Sequence, residues 1–402
     1  MTPLNVPSSA LKGRALFSLI FFTSPGLLAA VNGADTTKKT ADETMTVVAD
    51  GSRQSATNGY QPVNTSTATL TSMPMLDIPQ VVNTVSEQVL QDQHATNLDE
   101  ALYNVANVVQ TNTLGGTQDA FTRRGFGANR DGSIMTNGLR TVLPRSFTAA
   151  TERVEVLKGP ASTLYGILDP GGLINVVTKR PERTFGGSVS ATSTSFGGGT
   201  GRFDVTGPID GTPLAYRVIG EYQHEDYWRN FGKEKSSFIN PSLTWFGERA
   251  TVNVSYSHRN YSTPFDRGTI FDLNTGHAVN VDRKTRFDEP FNITDGYSDL
   301  AQLNAEYRLS DAWTARFDYS YSQDHYNDDQ ARVMAYDSAT GNLTRRVDAT
   351  HGSTQKMHSS RADLQGNVVI GGFYNEILTG LAYENYDLLR TDMIRCKRSE
   401  EH

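Results

Sequence analysis

From Phe185 onward, apolar and polar residues alternate one by one along the chain. The pattern runs through Ser188–Phe196, Gly201–Gly207, Ala215–Tyr222, Thr251–Ser257, Leu300–Tyr307, Trp313–Tyr321 and Glu376–Glu384. A period of two predicts strands with one face apolar and one polar. The segments are about ten residues long and are separated by turns and loops, which is the pattern of a membrane β-barrel. Short turns at Gly211-Thr212 and Ser310-Asp311 suit one rim, and the longer polar stretches 226–236, 258–297 and 324–356 suit the other. Tyr222, Trp245, Tyr256, Tyr307, Tyr319, Tyr321 and Tyr383 fall near strand ends, where aromatic girdles meet the membrane interface. A soluble β-sandwich also alternates. The strand length and the unequal loops favour the barrel.

Before Phe185 the texture differs. Residues 1–34 combine Lys12 and Arg14 with an apolar run from Ala15 to Phe22, then small residues Ala29, Ala30, Gly33 and Ala34, and they read as a secretory signal peptide. The apolar run is too short for a transmembrane anchor, and no later stretch reaches the ~18 apolar residues of a spanning helix. Residues 35–75 are polar and read as a disordered leader. Residues 76–181 read as a small α+β module. Its expected strands are Pro79–Val85, Phe121–Phe126, Ile134–Val142 and Glu152–Leu157. Leu98, Leu102, Val105 and Ala106 fall on one face of a helix that Asn97 or Thr96 would cap.

Composition adds little to this picture. The 402 residues are 37% hydrophobic with a net charge of −7, and no basic stripe of the kind nucleic-acid binding needs is present. One cysteine, Cys396, cannot form an internal disulfide or a Cys-rich metal site, and it reads as an incidental thiol in preference to a reactive one or half of a lost pair. The eight histidines are scattered, and His224, Glu225 and Asp226 would point to alternate faces of a strand, so they read as solvated charge. No catalytic constellation stands out.

Four short motifs follow one another in the small module. They are Arg124-Gly125-Phe126, Asn137-Gly138-Leu139-Arg140, Glu152–Gly159 with Lys158 at its end, and Leu164-Tyr165-Gly166 leading into Pro170-Gly171-Gly172. In this order, after a signal peptide and before a barrel pattern, they resemble the plug domain of TonB-dependent outer-membrane ferric siderophore receptors, of the ferrioxamine- or ferrichrome-like hydroxamate kind. The resemblance covers residues 43 to about 390. It implies a mainly β protein, a transmembrane antiparallel β-barrel with an N-terminal α+β plug. The expected organisation is signal peptide 1–34, leader 35–75, plug 76–181 and barrel 185–402. The glycines at 125, 138, 159, 166, 171 and 172 would let the backbone turn sharply in a confined lumen. Arg124, Arg153, Glu152, Glu155 and Lys158 would pair with one another or with carboxylates of the barrel wall.

Glu43-Thr44-Met45-Thr46-Val47-Val48-Ala49 resembles the TonB box. A short β-prone segment between polar tracts is suited to add as a strand to a partner's sheet edge, while the plainer reading is a first strand of the plug. The resemblance implies TonB, with its proton-motive-force complex, as partner. It also implies a ferric siderophore as ligand, outer-membrane lipid as surroundings, no nucleic acid, and no resident cofactor, because the siderophore carries the iron. The protein would be a transporter of a Gram-negative outer membrane, not an enzyme. Ligand contacts are expected at the plug apex, around Gly115–Phe121 and Thr141–Phe147, with Arg124, Arg145 and Phe147 as candidates. Tyr227, Trp228, Phe231, Tyr326 and Tyr336 would add aromatic contacts from the loops. Mixed acids and bases in those loops (Asp226, Arg229, Lys233, Glu234, Asp328, Asp329, Arg332) favour a compact, mostly uncharged hydroxamate complex over an anionic catecholate. Import of another solute, such as a cobalamin or a glycan, and a non-transporting surface docking role are the alternatives.

Family barrels have 22 strands, and only about ten strand candidates follow Phe185. The chain is therefore expected to be a C-terminally truncated form of a longer receptor, in preference to an exported half-barrel that pairs with a second chain.

Overall fold

The structure, a computed structural model, describes residues 57–127, 132–370 and 373–400. Five strands form a sheet in the first part: β1 (Val81–Val85), β2 (Ile134–Thr136), β3 (Leu139–Arg140), β4 (Thr151–Lys158) and β5 (Gly172–Thr178). Their order is β1-β4-β5-β2-β3, with the β5–β2 pair parallel. The interior strands β4 and β5 are covered on both faces, so Val154, Val156 and Leu157 are all sealed from solvent, as are Leu173, Ile174 and Val176 opposite them. Three short helices, α1 (Glu87–Asp92), α2 (Leu98–Ala101) and α3 (Ser162–Tyr165), flank the sheet. The Asn97 side chain caps α2 by accepting from Glu100 N at 2.9 Å, and the Glu100 carboxylate accepts from Thr96 N at 2.7 Å. Leu98, Leu102 and Val105 enter the core as the pattern predicts, but Ala106 is exposed because the helix stops at Ala101 and the chain turns through a positive φ at Asn107.

Gly172 shows why the glycine pair is needed. A Cβ there would stand 1.9 Å from the Leu157 carbonyl oxygen, and its φ of +104° already disfavours side chains. The neighbouring Gly171 is nearly as tight against the Arg123 carbonyl, whose oxygen lies 2.3 Å from where its Cβ would be.

A disordered leader extending to residue 75 does not hold for its described end. Thr65, Thr67, Ala68, Leu70 and Thr71 are buried, and Ala68 and Leu70 pack with Val82, Leu157 and Leu173. The physical reason is Glu155, fully buried, whose carboxylate accepts from the hydroxyls of Thr65 at 2.8 Å and of Thr67. The polar residues that suggested disorder are the ones that satisfy it. The expected signal peptide, residues 1–34, and the Glu43–Ala49 segment lie outside the described residues.

Ten strands form the second part: β6 (Gly186–Ser193), β7 (Gly198–Pro208), β8 (Leu214–Asp226), β9 (Lys233–Phe246), β10 (Ala250–Pro264), β11 (Ile293–Arg308), β12 (Trp313–Asp337), β13 (Asn342–Ile370), β14 (Phe373–Leu389) and β15 (Ile394–Glu400). Each from β6 to β13 pairs antiparallel with the next, and β15 pairs with the far end of β13. The short turns fall where expected, between β7 and β8 and between β11 and β12. The stretch 324–356 is not a loop. It is a hairpin in which β12 and β13 keep pairing to a turn at 338–341. Likewise 258–264 and 293–297 belong to strands, leaving 265–292 as the long loop. Polar composition misled here, because paired strands beyond a membrane face water on both sides and need no apolar face.

Candidate functional site

The register sorts the wall's side chains onto two faces. Gln302, Ser322, Ser359 and Arg361 point towards the plug, and their odd–even neighbours point away. The away face carries Val189, Phe203, Ile239, Leu243, Val254, Phe317 and Leu381, all well exposed. The seven aromatics expected in girdles also lie on it. On β11 it runs from Tyr307 through Ala305, Leu303 and Ala301 to Tyr297. That distance is about 33 Å along the strand, or about 25 Å of height at the usual tilt, which matches the apolar band of an outer-membrane barrel.

The β2–β3 hairpin of the plug docks on the inner face. Asn137 donates to the Gln302 side chain at 2.7 Å, Gln302 donates to Thr136 O at 3.3 Å, and Ser359 donates to Arg140 O at 3.0 Å. Val142 N donates to the Ser322 hydroxyl at 3.0 Å. At the plug's other end Lys179 bridges Glu87 at 2.8 Å and Asp204 at 3.0 Å, and Arg217 also grips Asp204. Plug and wall thus meet through polar contacts, with a small apolar patch of Ala150, Ile219 and Phe238.

Above the docked hairpin lies a cavity of about 610 Å³, walled by the plug segments 118–123 and 140–146 and by the inner faces of β12, β13 and β14. Tyr326, Tyr386, Met357, Leu143 and Val142 give it aromatic and apolar surface, while Arg140, Arg390, Asp119, Asp324 and Glu384 bring both signs of charge. Arg140 meets Glu384 at 3.2 Å, and the Tyr386 hydroxyl donates to Gln355 at 3.0 Å. The volume and mixed lining suit a medium-sized amphipathic ligand.

The sequence-derived candidates divide. Arg145 stands beside the cavity but is committed to the plug, bonding Asp119 at 3.1 Å, Asp99 at 3.3 Å and the Gly116 carbonyl. Burial pulls its pKa down, and the Asp119 and Asp99 carboxylates more than offset this, so the guanidinium is firmly charged. Asp99 itself is pushed up by burial despite Arg145. Phe147 is not at the apex surface, because it packs in the plug core with Val85, Leu98 and Val154. Arg124 is exposed at a positive φ of 50° and does not line the cavity. Its neighbour Arg123, which sequence reasoning passed over, is the buried one: its guanidinium donates to Gly172 O and Phe121 O, each at 3.0 Å. The internal ion pair falls on Arg153, 2.7 Å from both Glu152 and Glu155. Lys158 is buried but takes no part in it, and burial, with Arg124 nearby, lowers its pKa. Gly125, Phe126, Gly138, Gly159, Tyr165, Gly166 and Pro170 are turn and packing residues, with the Tyr165 hydroxyl donating to Thr67 O at 2.9 Å.

A contact between an outer loop and the plug had no sequence signal. Asp266 N, in the 265–292 loop, donates to Gly115 O at 2.9 Å, and the Phe265 ring lies where a Gly115 Cβ would go, 2.6 Å away. Asp266 in turn accepts from Arg229 at 2.7 Å and from the Tyr227 hydroxyl at 3.1 Å. The apex turn is therefore clamped to two outer loops.

A small plug docked on the polar face of a wall that is apolar outside defines the class, and the comparisons with known proteins agree. Residues 74–173 match the TonB-dependent Receptor Plug Domain. Residues 74–173 therefore carry the plug domain of the TonB-dependent receptors, and the chain is similar to receptors of that family along most of its length. It is 30% identical over 379 residues to the metal-pseudopaline receptor CntO of Pseudomonas aeruginosa, covering 93% of this chain and 53% of that one. It is 26% identical to the ferrioxamine B receptor of Salmonella typhimurium, over 79% of this chain and 47% of that receptor. The open form of the ferric-catecholate import receptor Fiu of Escherichia coli superposes with a TM-score of 0.69 at 26% identity, over 77% of this chain and 50% of that one. The chain spans about half the length of the curated relatives it matches.

Proposed function

We propose that the chain serves in the import of a metal–siderophore complex across the outer membrane, with the 610 Å³ cavity between plug and wall as the ligand's seat. The observation that carries this reading is the lining itself, in which the apex segments of the plug and the inner faces of three wall strands converge on one polar–aromatic space. A ligand held there touches both bodies, so its binding energy differs between plug positions. Arg145 acts by holding the Gly116 turn and not by direct contact. The Glu43–Ala49 segment is the TonB-binding strand, with TonB and its proton-motive-force complex drawing on it to remodel the plug.

The ligand class is a ferric hydroxamate. The cavity's opposed charges (Arg140 paired with Glu384, and Arg390, Asp119 and Asp324 also in the lining) leave no net positive funnel for a trianionic catecholate. The similarity to receptors named for ferrioxamine B, for catecholates and for metal-pseudopaline makes the alternatives concrete. The test is competition binding to the purified chain with ferric ferrioxamine B, a ferric catecholate and cyanocobalamin. Preference for the hydroxamate supports the assignment, preference for the catecholate corrects the class, and cobalamin binding overturns iron import. In iron-starved cells, Val47→Pro should abolish uptake without changing surface binding. Uptake that survives it would sink the coupling.

A further inference from the structure

Arg140 stands where three parts of the molecule meet. It ends β3, and its carbonyl is anchored to the wall by Ser359. Its guanidinium lines the 610 Å³ cavity and meets Glu384 of β14 at 3.2 Å. The same guanidinium donates to two plug carbonyls, Tyr165 O at 3.2 Å and Ile167 O. The backbone is thus fixed, while the charged head is shared between wall and plug.

The two carbonyls lie at the end of α3 and just beyond it. A helix of four residues is too short to hold itself, and its last carbonyls have no partner within the helix. Its N-cap residue, Ala161, makes no side-chain bond to it, and Arg140 supplies a cap at the other end. What α3 holds in turn is the buried part of the leader. Tyr165 packs with Ala68 and Leu70, and its hydroxyl donates to Thr67 O at 2.9 Å. A second route reaches the same residue from the β2–β3 turn. Gly138 N donates to the Asn175 side chain at 2.8 Å, and Asn175 donates to the Thr67 hydroxyl at 2.9 Å. In the chain, residues 63–71 follow the Glu43–Ala49 segment and precede the plug strands.

The resting place of the guanidinium leaves one donor unmet. Its Nε is sealed from solvent and has no hydrogen-bond partner. An unpaired buried donor costs free energy, which narrows the gap to a second arrangement in which the side chain is better paired.

We propose that Arg140 is a positioning residue that makes the plug's hold on residues 63–71 depend on what fills the cavity. An oxygen-rich metal complex draws the guanidinium towards itself and Glu384, the Tyr165 and Ile167 carbonyls lose their cap, and α3 releases Thr67. This rests on the reading of the cavity as the ligand's seat, and it names the side chain through which that seat is felt at the leader.

The test is hydrogen exchange, read by mass spectrometry, on the full 402-residue chain in detergent. It is run without ligand and with saturating ferric ferrioxamine B, whose binding is followed in the same samples by fluorescence quenching. The ligand should speed exchange in 63–71 and 162–168 roughly tenfold, while β4 and β5 keep their protection. Arg140→Lys keeps a charge for Glu384 but loses the fork that reaches two carbonyls. It should exchange fast at both segments without ligand and gain little when ligand is added. Glu384→Gln should keep the slow exchange and weaken the response. Lys356→Gln, between the lining residues Gln355 and Met357 and so facing away from the cavity, should behave as the parent. The proposal is overturned by a parent chain that binds the complex with no change in 63–71, by an Arg140→Lys chain that exchanges there as the parent does, or by a rise spread evenly over β4 and β5. If the parent binds no ferric ferrioxamine B, the hydroxamate reading fails, and the ligand-free comparison of Arg140→Lys with the parent still decides whether Arg140 holds the leader.

Discussion

The plug and the wall bury opposite kinds of side chain. The plug hides Leu98, Val154, Val156, Ile174 and Val176 and turns polar groups outward, as a water-soluble domain does. The wall hides Asp204, Thr206, Ser236, Ser242, Thr244, Ser320 and Ser322 on its inner face and shows Phe203, Ile239, Leu243 and Phe317 on its outer one. The same alternating strand serves both arrangements, and what differs is the medium on each side. Lipid rewards the exposed apolar face, while the wall's backbone groups must still pair strand to strand because hydrocarbon offers them nothing. The plug breaks its own rule at Arg123, which is sealed in, and most sharply at the Arg153–Glu155 pair, which is as buried as any valine.

That exception is where the largest effect is expected. Glu155→Ala would take from Arg153 the more deeply buried of its two carboxylates and release Thr65 and Thr67, at a cost of about 3–5 kcal/mol by urea denaturation. A loss below about 1 kcal/mol would mean that the pair is no linchpin. Next comes a test of the wall's inverted faces. Leu303→Arg, at mid-height on the outer face of β11, should cost about 2–4 kcal/mol for refolding into lipid vesicles. Were the wall water-exposed on that side, the change would be close to neutral. On the inner face Gln302→Ala removes the bonds to Asn137 and Thr136. It should loosen the plug by about 1 kcal/mol, read as faster hydrogen exchange in β2 and β3. An unchanged exchange rate there would deny these bonds a part in docking.

The smallest effect is in the loops, which belong to neither regime. Asp272 is held down to about 2, first by the Ser338 hydroxyl and then, against burial, by the N–H groups of Ser338 and Asn274. A depressed carboxylate stabilises above its unfolded value and loses that contribution as pH falls through its folded one. The clasp between the 265–292 loop and the β12–β13 turn should therefore open between about pH 4 and pH 2. Pepsin cleavage in that loop should rise over the window in the parent chain. In Asp272→Asn the susceptibility should not vary with pH.

How far all this was legible depended on range. The alternation after Phe185 specified antiparallel strands and sorted their faces, because a strand's period of two is a local property of its backbone. The motifs around Gly125, Gly138, Lys158–Gly159 and Gly171-Gly172 located the plug, since close backbone approaches such as Gly172 to Leu157 O exclude a side chain. Neither source said which arginine would be buried. Arg123 and Arg124 are adjacent, and only the docking of the 171–172 turn decided that Arg123 goes inside. Thr65 and Thr67 looked like leader until Glu155 needed donors, and Phe147 looked like apex until the core took it. The cavity and the Gly115 clamp each join segments far apart in the chain. Local sequence determined the strands, their two faces and the sharp turns. Only tertiary structure decided which polar groups satisfy one another, because burying a charge or a donor is settled by partners that the chain brings from elsewhere.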